Sequence, residues 1–331
     1  MTARKVRLAD VAAAAGTSTK TASRVLNGDT RVAEETRTRV EAAIAELDYR
    51  PDPLARSLRK GTDETIGVVV DSIADPFFAT VTGEIEKAAF ARGMTVTVAS
   101  TGRSADRERL LLDGMTRRRV AGVIVVPAST DHEYLRGVSC SLVFVDREAV
   151  GLDVDSVLVD DYLGARMAVR HLIEQGHRRI ALLSDAPVLQ TTARRLAGYR
   201  AELAEAGISV PEELVQANCP DIPDAAARTA ELLRMAEPPT AIFSSNIRCS
   251  MGVAPVLHSL SRTDVALVCF GDFFMADALQ PAVTVIDHRP EVIGQLAADR
   301  LFHRLSGASE PATRIEAPLH LVRRGSGELR P

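Results

Sequence analysis

A chain of 331 residues, 46% hydrophobic and 25% charged with a mean hydropathy of +0.03, has the make-up of an ordinary soluble protein and the material for two or three domains. No apolar run approaches the ~20 residues that cross a bilayer, and the basic N-terminus leads into Ala-rich helical sequence with no apolar signal core; neither a membrane span nor an export signal is expected, and a cytoplasmic location is. The formal charge of −4 is uneven: residues 1–60 hold 12 Lys/Arg against 8 Asp/Glu and the remainder 28 against 36, as when a basic nucleic-acid module is joined to an acidic body.

The first predicted elements fill Leu8–Asn27. Leu8, Val11, Ala12 and Ala15 recur at helical period, and Gly16 stops that helix because it enters left-handed dihedrals at no steric cost. Ser18 is placed to cap a second helix, with Ala22, Val25 and Leu26 turned inward and Thr19, Lys20, Ser23 and Arg24 outward; Asn27-Gly28-Asp29 ends it. Lys20 and Arg24 suit guanine O6/N7 in a major groove, and Thr19 suits a base edge or thymine methyl. Ser18, Thr21 and Asn27 suit phosphate oxygens. Two surface helices of an enzyme are the alternative reading of the same spacing.

A third helix is predicted over Val32–Leu47, with Val32, Thr36, Val40, Ala43, Ile44 and Leu47 as its buried stripe. Ala33 is a poor N-cap, offset by Glu34 and Glu35 in the first turn. Pro51 then breaks the pattern. Asp52 and Pro53 can start a short helix over Pro53–Arg59, too short to stand alone, or the stretch is a plain linker. Lys60–Glu64 leads into the body. There, short apolar runs at Ile66–Val70, Val96–Ala99, Val123–Val126, Leu142–Val145, Ile180–Leu183, Ala241–Phe243 and Val265–Cys269 alternate with helical segments near 76–91, 106–119, 161–175, 194–206, 224–235, 250–260 and 290–305. Such alternation predicts an α/β body of doubly wound parallel sheets, with strands enough for two. Four widely spaced cysteines without a C-x-x-C predict reduced thiols and no zinc site.

The pattern D-V-A-x-x-A-G-x-S-x-x-T-x-S-R-V-L-N, carried by Asp10 through Asn27, closely resembles the start of the lactose/galactose repressor family. Body segments resemble the periplasmic-binding-protein-like core of the same family along nearly its whole length: Ile66–Phe78, Asp160–Leu183, Ala193–Leu203, Pro238–Asn246 and Pro281–Leu305. The resemblance implies a helix-turn-helix head in residues 1–50, a hinge helix and linker in 51–63, and a two-lobed effector-binding and dimerisation core in 64–331. Lobe 1 would take about 64–159 and 290–318, and lobe 2 about 160–289 and 319–331. It implies that Leu8 joins the DNA contacts, that the hinge helix folds on operator DNA beside its dimer mate, and that Leu58 wedges a base step while Ala55 lies on the minor-groove floor. Asp52 departs from the usual Asn.

Ligands of open α/β sheets sit beyond the carboxyl ends of strands. The residues there are Asp75, Phe77 and Phe78, then Asp146, Arg195, Asn246, Asp272 and, before the last long helix, His288. By the resemblance these match effector contacts; carboxylates, an amide and a guanidinium can hold hydroxyls while a Phe covers a ring face. Gly271 stands where the family has its first carboxylate, Ile247 where it often has an Asp, and the chain has no Trp. No nucleophile elbow, P-loop or metal-spaced His/Glu cluster is present, so no enzyme, cofactor or metal is expected. The whole reads as a homodimeric repressor, or a tetramer built from it, on a pseudo-palindromic operator, switched by a sugar or related metabolite. An extracytoplasmic solute-binding protein and an enzyme on the same scaffold are the alternatives.

Overall fold

The computed structural model describes residues 6–26, 28–49 and 64–331. The chain divides into two compact units, Met1–Asp63 and Glu64–Pro331.

In the first unit α1 (Leu8–Ala14), α2 (Thr19–Leu26) and α3 (Glu34–Glu46) enclose Val11, Ala12, Ala15, Ala22, Val25, Val40 and Ala43. Asp10 accepts from Arg7 N at 2.7 Å, satisfying an amide at the entry to α1. Gly16 takes φ +60° in the turn, and Ser18 caps α2, its Oγ accepting from Thr21 N at 3.1 Å. Ala33 makes no capping bond, and α3 begins only at Glu34; Val32 and Leu47 pack on the core from outside the helix.

The second unit holds two six-stranded sheets. The first contains β1 (Thr65–Val70), β2 (Thr95–Ser100), β3 (Gly122–Val125), β4 (Ser141–Val145), β5 (Asp155–Leu158) and β11 (Arg314–Glu316), in the spatial order β11-β5-β4-β3-β1-β2 and parallel throughout. The second contains β6 (Ile180–Leu183), β7 (Val215–Gln216), β8 (Ala241–Ser244), β9 (Ala266–Phe270), β10 (Thr284–Asp287) and β12 (His320–Val322), in the order β12-β10-β9-β8-β6-β7. Only β12 runs antiparallel, with Ile286 opposite Leu321. Helices cover both faces of each sheet, which is why the central strands are β-branched and buried on both sides. In the first lobe α4 (Pro76–Phe90) and α10 (Pro290–Leu305) cover one face through Phe78, Val81, Ile85, Ile293, Ala297 and Leu301, and α5 (Ala105–Arg117) covers the other through Leu112 and Met115. In the second, α6 (Asp161–Glu174) and α7 (Gln190–Glu205) lie opposite α8 (Ile222–Leu233) and α9 (Ile247–Ser259). A Cβ at Gly198 would stand 2.4 Å from the Tyr162 carbonyl oxygen, so α6 and α7 approach closely only because that position is Gly.

The chain passes between lobes three times: between β5 and α6, between β10 and α10, and between β11 and β12. Five strands fall outside the seven apolar runs read from sequence: β5, β7, β10, β11 and β12. β7, β11 and β12 are short edge segments whose order comes from the neighbour they pair with, whereas β5 and β10 are buried interior strands of only four residues that mix polar with apolar side chains. Helices α7 and α9 begin at Gln190 and Ile247, earlier than the expected 194 and 250, and this carries their first turns to the mouth of the cleft.

Candidate functional site: an ion-paired cleft and an exposed helix

The strands of both sheets end facing a cleft between the lobes. Its lining includes Asp71 after β1, Arg103 after β2, Asp146 and Arg147 after β4, Asp185 after β6, Asn246 to Arg248 after β8, Phe270 at the end of β9 and His288 after β10. Asp75, Phe77 and Phe78 enter from the start of α4, and Thr191, Thr192 and Arg195 from α7. The enclosed space is about 60 Å³, room for a few waters.

Charge in the cleft is arranged in pairs. Arg147 donates to both oxygens of Asp71, at 3.2 and 2.6 Å, and to the Pro127 carbonyl at 2.6 Å. Arg195 donates to Asp161 at 2.7 Å and to the Ser245 carbonyl at 2.6 Å, with its guanidinium 3.8 Å from the Phe270 ring centre. These two pairs lie within one lobe each. Two others join the lobes. Arg103 forms a bidentate pair with Asp185, and Arg248 reaches Asp185 at 3.4 Å and Asp75 at 3.7 Å. Gln190 adds an uncharged link, accepting from Glu148 N at 3.0 Å.

Each guanidinium in the cleft is thus matched to carboxylates. Asp146 is different. Its backbone is left-handed (φ 70°), its side chain is buried 3.3 Å from Arg147 Nε, and it accepts no hydrogen bond among the described residues. Burial pushes its carboxyl up, and likewise lifts Asp75 and Asp161 to about 6 each. A buried acceptor with open lone pairs is a place for a ligand hydroxyl. His288 stacks on Phe77 at 4.6 Å and meets Phe270 edge-on at 5.6 Å. Burial, with Arg195 nearby, lowers it to about 3, so it stays neutral and forms with Phe77 and Phe270 an apolar wall.

Of the residues singled out from sequence, Asp75, Phe77, Phe78, Asp146, Arg195, Asn246 and His288 meet in this cleft. Two of them also cap helices: Asp75 accepts from Phe77 N at 3.0 Å and Asn246 from Cys249 N at 2.9 Å. Asp272 is placed elsewhere. Gly271 takes φ +95°, and Asp272 forms a bidentate pair with Arg324 outside the cleft lining. A Cβ at Gly271 would stand 2.9 Å from the His288 ring, so the carboxylate expected there has no room while that ring occupies the site. Asp71, Arg103, Arg147, Asp185, Thr191, Thr192 and Arg248 were not anticipated. The available signal was a charged residue abutting a buried strand, as in Val70-Asp71, Val145-Asp146-Arg147 and Ser184-Asp185.

In the first unit Ser18, Thr19, Lys20 and Arg24 are exposed on α2, with Thr21 and Ser23 half-buried beside them. Thr21 shares a 2.9 Å hydrogen bond with Ser18, and Arg24 lies 3.9 Å from Asp29. Asp29 is held to about 2, chiefly by its hydrogen bonds from Arg31. Leu8 is half-buried against the three-helix core. Asn27, Ala55 and Leu58 lie outside the described residues.

Comparison with known proteins finds relatives for both units. Residues 7–52 match the family model for bacterial regulatory proteins of the lacI family, and residues 63–324 that for periplasmic binding proteins and the sugar binding domain of the LacI family. The ribose operon repressor of Escherichia coli (strain K12) is 31% identical over 326 residues, spanning 96% of this chain and 98% of the relative. The HTH-type transcriptional repressor PurR of Proteus mirabilis (strain HI4320) is 32% identical, spanning 96% and 95%. Among solved structures, the lac repressor dimer bound to operator and the anti-inducer ONPF has a TM-score of 0.83 at 26% identity, covering 98% of this chain and 99% of that one. The complex of the transcriptional regulator CelR with cellobiose has a TM-score of 0.70 at 29% identity, covering 97% and 99%.

Proposed function

We propose, from the premise that this chain belongs to the lacI family of bacterial regulatory proteins, how its two units divide the work of a ligand-responsive repressor. The chain is a DNA-binding transcription regulator and not an enzyme, as its relatives are along their whole length. Residues 1–50 are the DNA-reading head, 51–63 the hinge, and 64–331 the core that binds effector and pairs protomers in the cytoplasm. Thr19, Lys20 and Arg24 read base edges in one half-site, Ser18, Thr21, Ser23 and Asn27 hold phosphates, and Leu8 supports the helix entry. Ala55 and Leu58 enter the minor groove at the operator centre, and two protomers on a pseudo-palindrome supply two half-sites.

The effector is a small hydroxyl-rich molecule, a sugar or related metabolite, in the cleft. The observation that carries this is the contrast between Asp146, whose carboxylate lies beside Arg147 but accepts no hydrogen bond among the described residues, and the four guanidiniums, all of which already face carboxylates. Such a site offers acceptors to hydroxyls and no unmatched cation to an anion, while Phe77, Phe78 and His288 cover a ring face. Since Arg103–Asp185 and Arg248–Asp75 join the lobes, a ligand that replaces or reinforces these pairs shifts the opening of the cleft. It can change DNA affinity only through its different affinity for the two states, and DNA changes effector affinity by the same factor. The test is a thermal-shift screen of the full chain against neutral pentoses, hexoses and disaccharides beside their phosphates and small acids, because a ligand of the native state raises the melting temperature. A neutral polyol should score, and Asp146→Asn should remove its shift. A hit confined to anions would overturn the assignment.

A further inference from the structure

The cleft is hinged along one side only. The three passages between lobes run from β5, β10 and β11, and these strands, with β12, form one edge of each sheet. Asp161 and His288 lie on two of the passages and are buried, so they mark the inner end of the cleft. The opposite edges are β1-β2 in the first sheet and β6-β7 in the second. Arg103 follows β2 and Asp185 follows β6, so their bidentate pair spans the gap on the side away from the passages. Exposure agrees with this placement. The side chains of Arg103 and Arg248 are 23% and 24% exposed, against 7% and 9% for Arg147 and Arg195. The pair therefore closes the mouth, and Asp146, Arg147 and Arg195 lie behind it. We propose that Arg103 and Asp185 form a clasp across the mouth that sets the size of the effector: a single sugar ring fits behind it, and a disaccharide does not.

Both partners are held ready by their own lobes. Gly102 and Arg103 take φ 60° and 64°, left-handed values that Gly adopts freely and Arg rarely. Gly102 N donates to the Asp71 carbonyl at 2.9 Å and Arg103 N to Thr101 Oγ1 at 3.1 Å, which fixes the turn against its lobe, and Arg103 Nε lies 3.7 Å from Asp71. Across the gap Asp185 also receives Asn246 Nδ2 and Arg248, each at 3.4 Å, so its carboxylate is oriented from within the second lobe. The space behind the pair, about 60 Å³, is filled by a few waters. One ring replaces them with a slight parting of the lobes. A second ring joined to the first cannot extend toward the passages, where Asp161 and His288 close the cleft, and must leave through the Arg103–Asp185 contact. Admitting it breaks a charged bidentate pair that spans the lobes. The size limit rests on the effector site proposed above; the clasp does not, so the two can fail separately.

Two measurements on the full chain test this. In protein free of sugar, amide exchange of residues 101–104 and 185–190 is followed in wild type, Arg103→Ser and Asp185→Asn. Each variant should speed exchange in the loop of the opposite lobe as well as in its own; a change confined to the substituted loop would refute the clasp whatever the ligand. Calorimetry then compares neutral pentoses and hexoses with disaccharides built from them. Wild type should bind a monosaccharide and its disaccharides far more weakly. Arg103→Ser should narrow that gap about five- to tenfold, the worth of one partly exposed ion pair, and Arg103→Lys, which keeps the charge and reach, should restore part of it. A disaccharide held by wild type as tightly as its monosaccharide, or a gap that Arg103→Ser leaves unchanged, would overturn the size limit. Silence from every neutral sugar alongside coupled exchange of the two loops would refute the effector reading, and the size limit with it, while the clasp stood.

Discussion

Replacing Arg195 by Met is the substitution whose cost the structure sets most directly. The guanidinium is buried, donates to Asp161 and to the Ser245 carbonyl, and covers the Phe270 ring. Arg195→Met keeps most of the volume and the apolar contact but leaves the Asp161 carboxylate buried without its cation. Removing one partner of such a pair costs about 3–5 kcal/mol. Most of that belongs to the orphaned charge, so Arg195→Met/Asp161→Asn should recover about 2 kcal/mol or more. The pH dependence follows. With Arg195 present, burial already lifts Asp161 to about 6 from an ordinary value of 3.8. Without it the native carboxyl rises further, and a native state that binds the proton more tightly than the unfolded chain loses stability as pH rises between the two values. The gap between wild type and variant should therefore be widest near pH 8 and narrow toward pH 5, where the carboxyl is protonated and only the bond to Ser245 and the ring contact are missed. Urea unfolding of the four proteins of the double-mutant cycle at both pH values is the assay. A cost of Arg195→Met independent of pH, or a coupling energy under about 0.5 kcal/mol, would refute the reasoning. Arg195 would then also be less than it is taken to be here, a fixed wall of the cleft as well as a ligand contact.

Three further outcomes can be measured. Arg24→Ala should cost about 1–3 kcal/mol of operator affinity and relax base preference at one position in each half-site, read by fluorescence anisotropy over a panel of operator variants; equal losses on random DNA would reassign it to phosphate. Ser18→Ala removes the cap of α2 and should destabilise the head by about 1 kcal/mol, seen as faster amide exchange at Thr21, while the core melts as before. Asp75→Asn removes a carboxyl that burial holds at about 6. Wild type gains stability on acidification from pH 7 to pH 4 through this group, about 2 kcal/mol, and the variant should lack that gain when the two are unfolded in parallel.

The sequence was most readable where one element carries its own signal. The head could be read because Val11, Ala12, Ala22 and Val25 are buried at the spacing their helices dictate, and Ser18 caps the helix it precedes. The central strands could be read because a run such as Ile66–Val70 is apolar on both faces. Strands β7 (Val-Gln) and β11 (Arg-Ile-Glu) carry no such signal, since partners far along the chain order them, Ile315 pairing with Val157. The same holds in the cleft. Asp75, Phe77 and Asn246 stand at helix starts that punctuation marks, whereas Arg103 matters through Asp185, 82 positions away. Asp272 misled for a related reason: spacing placed it after a strand, but Arg324 from the C-terminal segment draws its side chain out of the cleft.

The three passages of the chain between lobes bear on how the protein is made. Synthesis delivers the head first and β1 to β5 next, but one wall of the first lobe is α10, which lies beyond residue 289. Until it emerges, Phe78, Val81 and Ile85 have no Ile293, Ala297 or Leu301 to pack against. Five strands of the second lobe, β6 to β10, are complete by residue 287. The lobe begun first therefore gains that wall only after five strands of the second are made, and a nascent chain spends most of its time on the ribosome with a finished head and an open apolar face. Exposed surface of that kind recruits chaperones or aggregates. A product cut short before residue 290 is thus a candidate for disposal, and the cell is spared a DNA-binding fragment deaf to its effector.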